Sequence, residues 1–342
     1  MRKFCKFFAA GCLFCFMLSF GSWASEEIVP RDRPDPDGTP TRVQIAAYFT
    51  DLSGISSVDQ SFTPTFIVMV RWRDPRLACE EAAEKDEIRK RPIDEVWNPR
   101  ILILNQKRIF EFFNPKGLVE ISPDGTVSFV EQYFGELVFP MDLREFPFDS
   151  HVLPLTIISG KYGPSEVLFE VDMSRVGRNE VFSIADWDVG PVRTKVGKYA
   201  IDARETDLSR VDFQLAARRY PGFYISRVIM PLVFIVFMSF SVFWIDPKTL
   251  GTQLSVATTS ILTLIAFQFA VNTSLPRIFY LTRIDTFILG ATIVVFCAFV
   301  EAVVTSFMAK TGRRERALSV DRKARVLFPL AFFALGIFSL ML

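Results

Sequence analysis

Apolar and polar positions alternate along the first two thirds of the chain. From about residue 41 to 220, short stretches such as 66–72 and 211–215 have a period close to two. Turn sequences such as Pro123-Asp124-Gly125 separate these stretches. Many short alternating segments divided by turns are typical of β-strands that pack as two sheets. The pattern therefore predicts an all-β sandwich over residues 41–220.

After Pro221 the pattern changes to long apolar segments. The four segments cover about 222–244, 250–272, 284–309 and 325–342. A helix needs about 20 residues to cross a hydrocarbon core of about 30 Å. We therefore expect residues 221–342 to form an all-α transmembrane domain of four helices, joined near the end by a short cytoplasmic loop at 310–324.

The two ends of the chain suggest an orientation in the membrane. Residues 1–24 have a basic start, a short apolar core and a small-residue ending, as in a secretory signal peptide. Residues 25–40 are rich in proline and charge, which predicts an exposed lead-in. Basic residues are dense in the 310–324 loop and sparse at 273–283, so the loop is predicted to be cytoplasmic. The β domain and the carboxyl terminus are then expected outside.

The amino-acid composition argues against several classes of function. The 342 residues include one His and five Cys, three of them in the signal peptide, so neither a metal site nor a disulfide framework is expected. The formal net charge of +1 argues against a nucleic-acid partner. Residues 25–220 hold 33 acidic and 25 basic residues, so the external part is acidic. We find no nucleophile–base pair and expect no enzyme activity and no cofactor.

The second apolar segment carries an unusual number of polar side chains. Steps of four and three residues from Ser255 mark one helical stripe, which is hydroxylated at the inner end, apolar above and polar again at the outer end: Ser255, Thr259, Leu262, Ala266, Phe269 and Thr273. Several copies of such a stripe around an axis would line a pore, with hydroxyls replacing ion hydration and apolar rings closing the path. The alternative is a polar helix packed among the other three within one subunit.

Four motifs appear in order along residues 41–342: Trp97-Asn98-Pro99, Phe146-Pro147-Phe148-Asp149, Arg219-Tyr220-Pro221 and Asn272-Thr273-Ser274-Leu275-Pro276. Together they resemble the pentameric ligand-gated ion channels, the Cys-loop receptor superfamily. The two cysteines that flank the second motif in many members are replaced by Phe139 and Leu153. In this respect the chain is similar to the bacterial members, which lack the loop disulfide.

The resemblance implies a homopentamer in the inner (plasma) membrane of a bacterium, in contact with membrane lipid and passing inorganic ions. The stripe is then pore-lining, and the family geometry assigns a second set to the coupling of the external domain to the pore: Asp149, Arg219, Phe146, Pro147, Phe148 and Pro276. Residues 55–59 are expected to supply a further contact. The alternative for the Asp149–Arg219 pair is that it only holds the two domains together.

The stimulus and the selectivity stay open at this stage. Aromatic positions that resemble the family's agonist site are candidates for a small amine: Tyr162, Tyr199, Tyr48 and Phe66. Protons are the competing agonist, with His151 as the titratable group. The acidic external domain favours cations. The alternatives are an anion-selective channel of the same family and a non-conducting, membrane-anchored ligand sensor.

Overall fold

The computed structural model describes residues 32–35, 38–79, 87–114, 116–201, 207–246, 249–272 and 278–341. The predicted signal peptide, Thr273 and Pro276 lie outside these residues. The strands are β1 Thr41–Ser56, β2 Ser61–Arg73, β3 Arg89–Pro92, β4 Ile101–Ile103, β5 Gln106–Glu111, β6 Leu118–Ile121, β7 Thr126–Val138, β8 Ser150–Ser159, β9 Val167–Val171, β10 Gly177–Arg178, β11 Trp187–Tyr199 and β12 Leu208–Arg219.

The strands form two sheets packed face to face. Within the described residues, the larger sheet runs in the order β10-β1-β2-β7-β6-β3, with β5 beside β7 and β9 beside β1. The smaller sheet has the order β11-β12-β8-β4. Most pairs are antiparallel, and β1 pairs in parallel with β9 and β10. The predicted β-sandwich is confirmed.

Alternate residues of the long strands fill the space between the sheets. On β2 the inward positions include Phe62, Phe66, Val68 and Trp72, all of which are buried. Trp72 meets Trp97 edge to face, with ring centroids 5.9 Å apart. This period of two is the one expected of strands that bury one face.

Four helices follow the last strand: α1 Gly222–Trp244, α2 Leu250–Asn272, α3 Arg283–Lys310 and α4 Arg314–Met341. The helical region is therefore confirmed. Among the described residues, α1, α2 from Gly251 onward, and α3 are long and apolar enough to span a membrane. The first turns of α4 are charged, and its apolar stretch begins only after Arg325.

Two helices differ from a regular pattern in ways that the sequence explains. In α1, the turn Ile225–Ile229 is π-helical just before Pro231, whose missing N–H removes a regular backbone hydrogen bond. The fourth helix begins at Arg314, so residues 314–324 are helical and our expectation of a loop at 310–324 was wrong for them. Its Arg, Glu, Ala, Leu and Lys residues are strong helix formers despite their charge. The connection shrinks to residues 311–313, where Gly312 has a φ of 82°.

Small residues let the helices pack closely. Ala291, Ala298 and Ala302 on α3 are buried against neighbouring helices. At the external end, Val228 of α1, Val271 of α2 and Ile284 of α3 belong to the same apolar cluster as the sandwich core. The two domains therefore meet through a continuous packed boundary.

Candidate functional site

The Asp149–Arg219 pair lies where the sandwich meets the helices. Antiparallel pairing of β8 with β12 sets Ser150 opposite Arg218, which brings the neighbouring Asp149 and Arg219 together. Arg219 Nε donates to Asp149 Oδ1 at 2.8 Å, and its Nη2 donates to Oδ2 at 3.1 Å. The side chains are 1% and 4% exposed, so this is a buried, two-point ion pair.

The second oxygen of Asp149 also contacts the single histidine of the chain. His151 Nε2 lies 2.6 Å from Asp149 Oδ2, and the imidazole is buried between Phe139 and Trp187. Burial by itself raises the pKa of Asp149. The hydrogen bonds from His151 and Arg219 and the charge of Arg219 outweigh this effect and lower the pKa to about 2.

Arg219 is also enclosed by aromatic rings. Its guanidinium carbon lies 4.2 Å from the ring centroid of Trp187, 4.8 Å from that of Phe146 and 5.9 Å from that of Tyr224 on α1. Its Nη2 also donates to Ser57 Oγ at 2.7 Å, which falls in the expected contact segment 55–59. Trp187 and Tyr224 could not be identified from the sequence, because neither belongs to a motif and only the fold brings them to Arg219.

The loop that holds the Phe146-Pro147-Phe148 motif rests on the start of α3. Arg283 N–H donates to Arg144 O at 3.0 Å, and Ile284 N–H donates to Phe146 O at 3.3 Å. Pro147 and Phe148 line a cavity of about 190 Å³ between the loop and the helices. The candidate Pro276 lies outside the described residues. The loop thus joins the sandwich directly to the third helix.

The predicted stripe of α2 lies on the face that the subunit leaves unpacked. Leu262 and Phe269 are 66% and 73% exposed. Ser255, Thr259 and Ala266 are exposed on the same face. Gln253, Ala257, Ser260 and Leu264 are buried against the other helices. Thr273 lies outside the described residues. The five described residues of the stripe are therefore not packed against the other helices of the subunit.

Hydroxyls on this face present their oxygens outward. Thr259 Oγ1 donates to the Ser255 carbonyl at 2.8 Å, and Thr263 Oγ1 donates to the Thr259 carbonyl at 2.8 Å. A hydroxyl whose proton bonds to the helix backbone offers its lone pairs to the surroundings. The lower part of the face is therefore a row of hydrogen-bond acceptors.

Two of the four aromatic candidates for an agonist site are buried in the sandwich. Phe66 is fully buried and stacks on Tyr133, with centroids 5.5 Å apart. Tyr162 is buried, and its hydroxyl accepts a hydrogen bond from Trp97 Nε1 at 3.1 Å. Both rings belong to the sandwich core, so a ligand cannot reach them in this structure and their assignment is corrected. Tyr48 and Tyr199 remain partly exposed.

The two cysteines of the described residues form no disulfide. Cys79 and Cys297 are both free thiols. Within the described ranges, no group of three or more His, Cys, Asp or Glu side chains is placed to hold a metal ion. The chemistry of the site is therefore that of a buried ion pair, aromatic rings and a face of hydroxyl and apolar side chains.

Two family models match the chain in succession. The neurotransmitter-gated ion-channel ligand binding domain matches residues 25–221, and the neurotransmitter-gated ion-channel transmembrane region matches residues 228–328. The chain is 28% identical over 318 residues to a proton-gated ion channel of Gloeobacter violaceus, covering 92% of this chain and 86% of that protein.

More distant similarity extends to receptor subunits of animals. The chain is 26% identical over 297 residues to the gamma-aminobutyric acid receptor subunit beta-4 of Gallus gallus, covering 85% of this chain and 60% of that subunit. It is 24% identical over 302 residues to the rho-2 subunit of the corresponding human receptor, covering 87% and 64%. The chain thus spans less than two thirds of the length of these receptor subunits.

Proposed function

Because the chain belongs to the neurotransmitter-gated ion-channel family, whose members are ligand-gated ion channels and not enzymes, we propose that it forms a homopentameric channel with α2 lining the pore. The observation that carries this proposal is the unpacked stripe of α2. This helix exposes the apolar side chains of Leu262 and Phe269 together with hydroxyl groups nearer its inner end. The apolar side chains need other apolar surface to pack against, and the hydroxyl groups need water or ions. Five copies around an axis provide a water-filled path for the hydroxyls and apolar rings that close it by dewetting.

We further propose that Asp149 and Arg219 couple the external domain to this pore. The pair ties the end of β12, and hence the start of α1, to the loop that rests on α3. A buried two-point ion pair is stiff, and removing one partner leaves the other charge without compensation. Movement of the sandwich is thereby transmitted to two membrane helices rather than absorbed at the boundary.

Protons are the stimulus we favour. His151 is the only histidine in the chain, and it contacts the carboxylate that Arg219 also binds. The carboxylate that His151 contacts is Asp149, which also binds Arg219, and the rings beside its imidazole, Phe139 and Trp187, are neutral. Protonation places a second cation on Asp149 and competes with Arg219. The similarity to a proton-gated ion channel supports this choice. A small amine at Tyr48 and Tyr199 is the alternative stimulus.

Cations are the proposed permeant ions. The outward lone pairs of Thr259 and Thr263 suit a cation, because an anion would need donors. The external segment 25–220, with 33 acidic against 25 basic residues, raises the local concentration of cations in each of five copies. We place the pentamer in the bacterial inner membrane, with the sandwich and the carboxyl terminus outside.

The test is a current recorded from the purified protein in a lipid bilayer. Steps of external pH, and separately added amines, identify the stimulus, and unequal NaCl on the two sides identifies the permeant ion. A reversal potential that follows chloride would replace the cation assignment by the anion-selective alternative. Ligand binding with no current under any condition would favour the non-conducting sensor.

A further inference from the structure

Two carboxyl groups face each other between α3 and α4, inside one subunit. Glu301 lies on α3 and Asp321 on the charged first part of α4, and their carboxyl groups are within hydrogen-bonding reach of each other. The Asp321 residue is only 1% exposed, and all four carboxyl oxygens are inaccessible to solvent. Helices of a single chain therefore enclose the pair, whatever assembly surrounds it.

Neither carboxyl group of this pair receives a hydrogen bond from the rest of the described chain. None of the four oxygens has a donor among the described residues. Thr305 lies beside Asp321, but its hydroxyl donates to the backbone carbonyl of Glu301 at 3.0 Å. Two ionised carboxylates in contact repel each other, and burying a charge without a partner costs free energy. The pair therefore requires something that joins its two groups.

The charged groups around the pair do not neutralise it by contact. Arg325 on α4 donates from Nε to the carbonyl of Phe243 at 3.0 Å, and its guanidinium lies over the ring of Trp244. Asp246, just after α1, accepts from Arg314 at 3.0 Å and adds negative charge near the pair. The helix α2 carries no charged residue. Within the described chain, no cation therefore bonds to either carboxyl group.

A proton fits between the two carboxyl groups where larger species do not. A water molecule or a metal ion needs space and several partners, and these oxygens expose no surface that water could touch. A proton on one carboxyl group makes that group a hydrogen-bond donor to the other and needs no added volume. Burial also raises the pKa of Asp321 above its ordinary value, which favours the protonated form.

We propose that Glu301 and Asp321 hold one proton between them at neutral pH, and that this shared proton fastens α4 to α3. When the pH rises, hydroxide takes up the proton as water, both carboxylates are then charged, and their repulsion loosens the contact between the helices. The helix α3 is bonded in turn to α2, because Gln268 Nε2 donates to Thr292 Oγ1 at 2.6 Å. The inference does not depend on whether the protein conducts.

Infrared spectroscopy of the purified full-length protein in lipid nanodiscs detects the shared proton. Ordinary aspartates and glutamates are ionised at about pH 7, so the carbonyl band of a carboxylic acid then reports a buried acid. We expect this band in the unaltered protein at about pH 7 and its loss by about pH 10. The double variant Glu301→Gln with Asp321→Asn keeps the shape of both side chains and should lack the band. Absence of the band from the unaltered protein, which needs no variant, or its full retention in the double variant would overturn the proposal.

Thermal unfolding then tests whether the proton fastens the two helices. An acid whose pKa is raised by folding loses its stabilising contribution as the pH rises. Between about pH 7 and pH 10, the unfolding temperature of the unaltered protein should fall by at least about 2 °C more than that of the double variant. Glu315→Gln, at an exposed position on α4, is the matched control and should behave as the unaltered protein. Equal falls in the unaltered protein and the double variant would overturn the fastening role. Stabilisation by added CaCl2 that only the double variant lacks would replace the proton by a bound cation and overturn the proposal as well.

Discussion

Arg219 and Asp149 form a buried two-point ion pair at the boundary between the sandwich and the membrane helices, with N–O distances of 2.8 and 3.1 Å. Asp149 lies directly before β8 and Arg219 is the last residue of β12, so the pair joins the backbone that leaves the Phe146-Pro147-Phe148 loop to the backbone that leads into α1. The same carboxylate is bound by His151, and the same guanidinium by Ser57.

Asp149→Asn should impair gating while pentamers still form. The substitution leaves Arg219 buried beside a neutral amide, and breaking a buried pair on one side costs about 3 kcal/mol of unfolding free energy. Currents evoked by the stimulus measure gating, size-exclusion profiles measure pentamer formation, and thermal unfolding measures the loss of stability. Asp142→Asn in the same loop is the matched control, since Asp142 is largely exposed and pairs only with neighbouring Arg144. Normal gating in Asp149→Asn would remove the pair from the coupling mechanism.

The pair should make stability depend on acid pH in a defined direction. The pKa of Asp149 is lowered to about 2 in the folded protein, against an ordinary value of 3.8. A carboxyl group whose pKa is lower in the folded protein than in the unfolded chain stabilises the fold at any pH above its unfolded-state pKa. This stabilisation is lost as the pH falls through the folded-state pKa, because the carboxylate then becomes protonated. We expect a loss of about 2 kcal/mol between about pH 5 and pH 2.

Unfolding measured at a series of pH values, in the unaltered protein and in Asp149→Asn, checks this dependence. The variant should lack the part of the slope that Asp149 supplies. Identical slopes in the two proteins would mean that Asp149 is not ionised and paired in the folded state.

His151→Gln separates proton sensing from coupling. Glutamine can still donate a hydrogen bond to Asp149, but it does not titrate between about pH 5 and 8. We expect the pH dependence of the current in this range to flatten, while pentamer formation and single-channel conductance stay unchanged. Full retention of the pH response would assign proton sensing to another group and leave the Asp149–Arg219 link untouched.

Cysteine substitution along the helices tests which face of α2 meets water. In a background with Cys79→Ser and Cys297→Ser, Leu262→Cys should react with a cationic methanethiosulfonate, and the current should fall by more than about half. Leu264→Cys is buried within the subunit and should not respond. Ile293→Cys is exposed on α3 but is expected to face lipid, where a charged reagent has no access. A loss of current at Ile293 and none at Leu262 would assign the pore to another helix.

Much of the fold can be predicted because its periodicities are strong. The span proposed at 250–272 coincides with the helix Leu250–Asn272. Asp149 and His151 are two residues apart at the start of a strand, so they are expected to lie on the same face, and they are in contact. The inward direction of Phe66 was predictable, because it shares the apolar face of β2 with Val68 and Trp72 while polar residues such as Thr65 and Arg71 lie on the other face. The early start of α4 was missed because we sought apolar segments, and charged helix formers give no such signal.

Tertiary contacts account for the other omissions. Trp187 and Tyr224 reach Arg219 from segments distant in sequence, and no local pattern marks them.

We propose that five copies of this chain form a gated cation pore lined by α2. The decisive measurement is the current across a planar bilayer that holds the purified protein, with unequal NaCl on the two sides and stepwise acidification of the external side. We expect a current that grows as pH falls, reverses near the sodium equilibrium potential and is strongly reduced in Asp149→Asn. Pentameric protein that passes no current at any pH, with or without added amines, would contradict it.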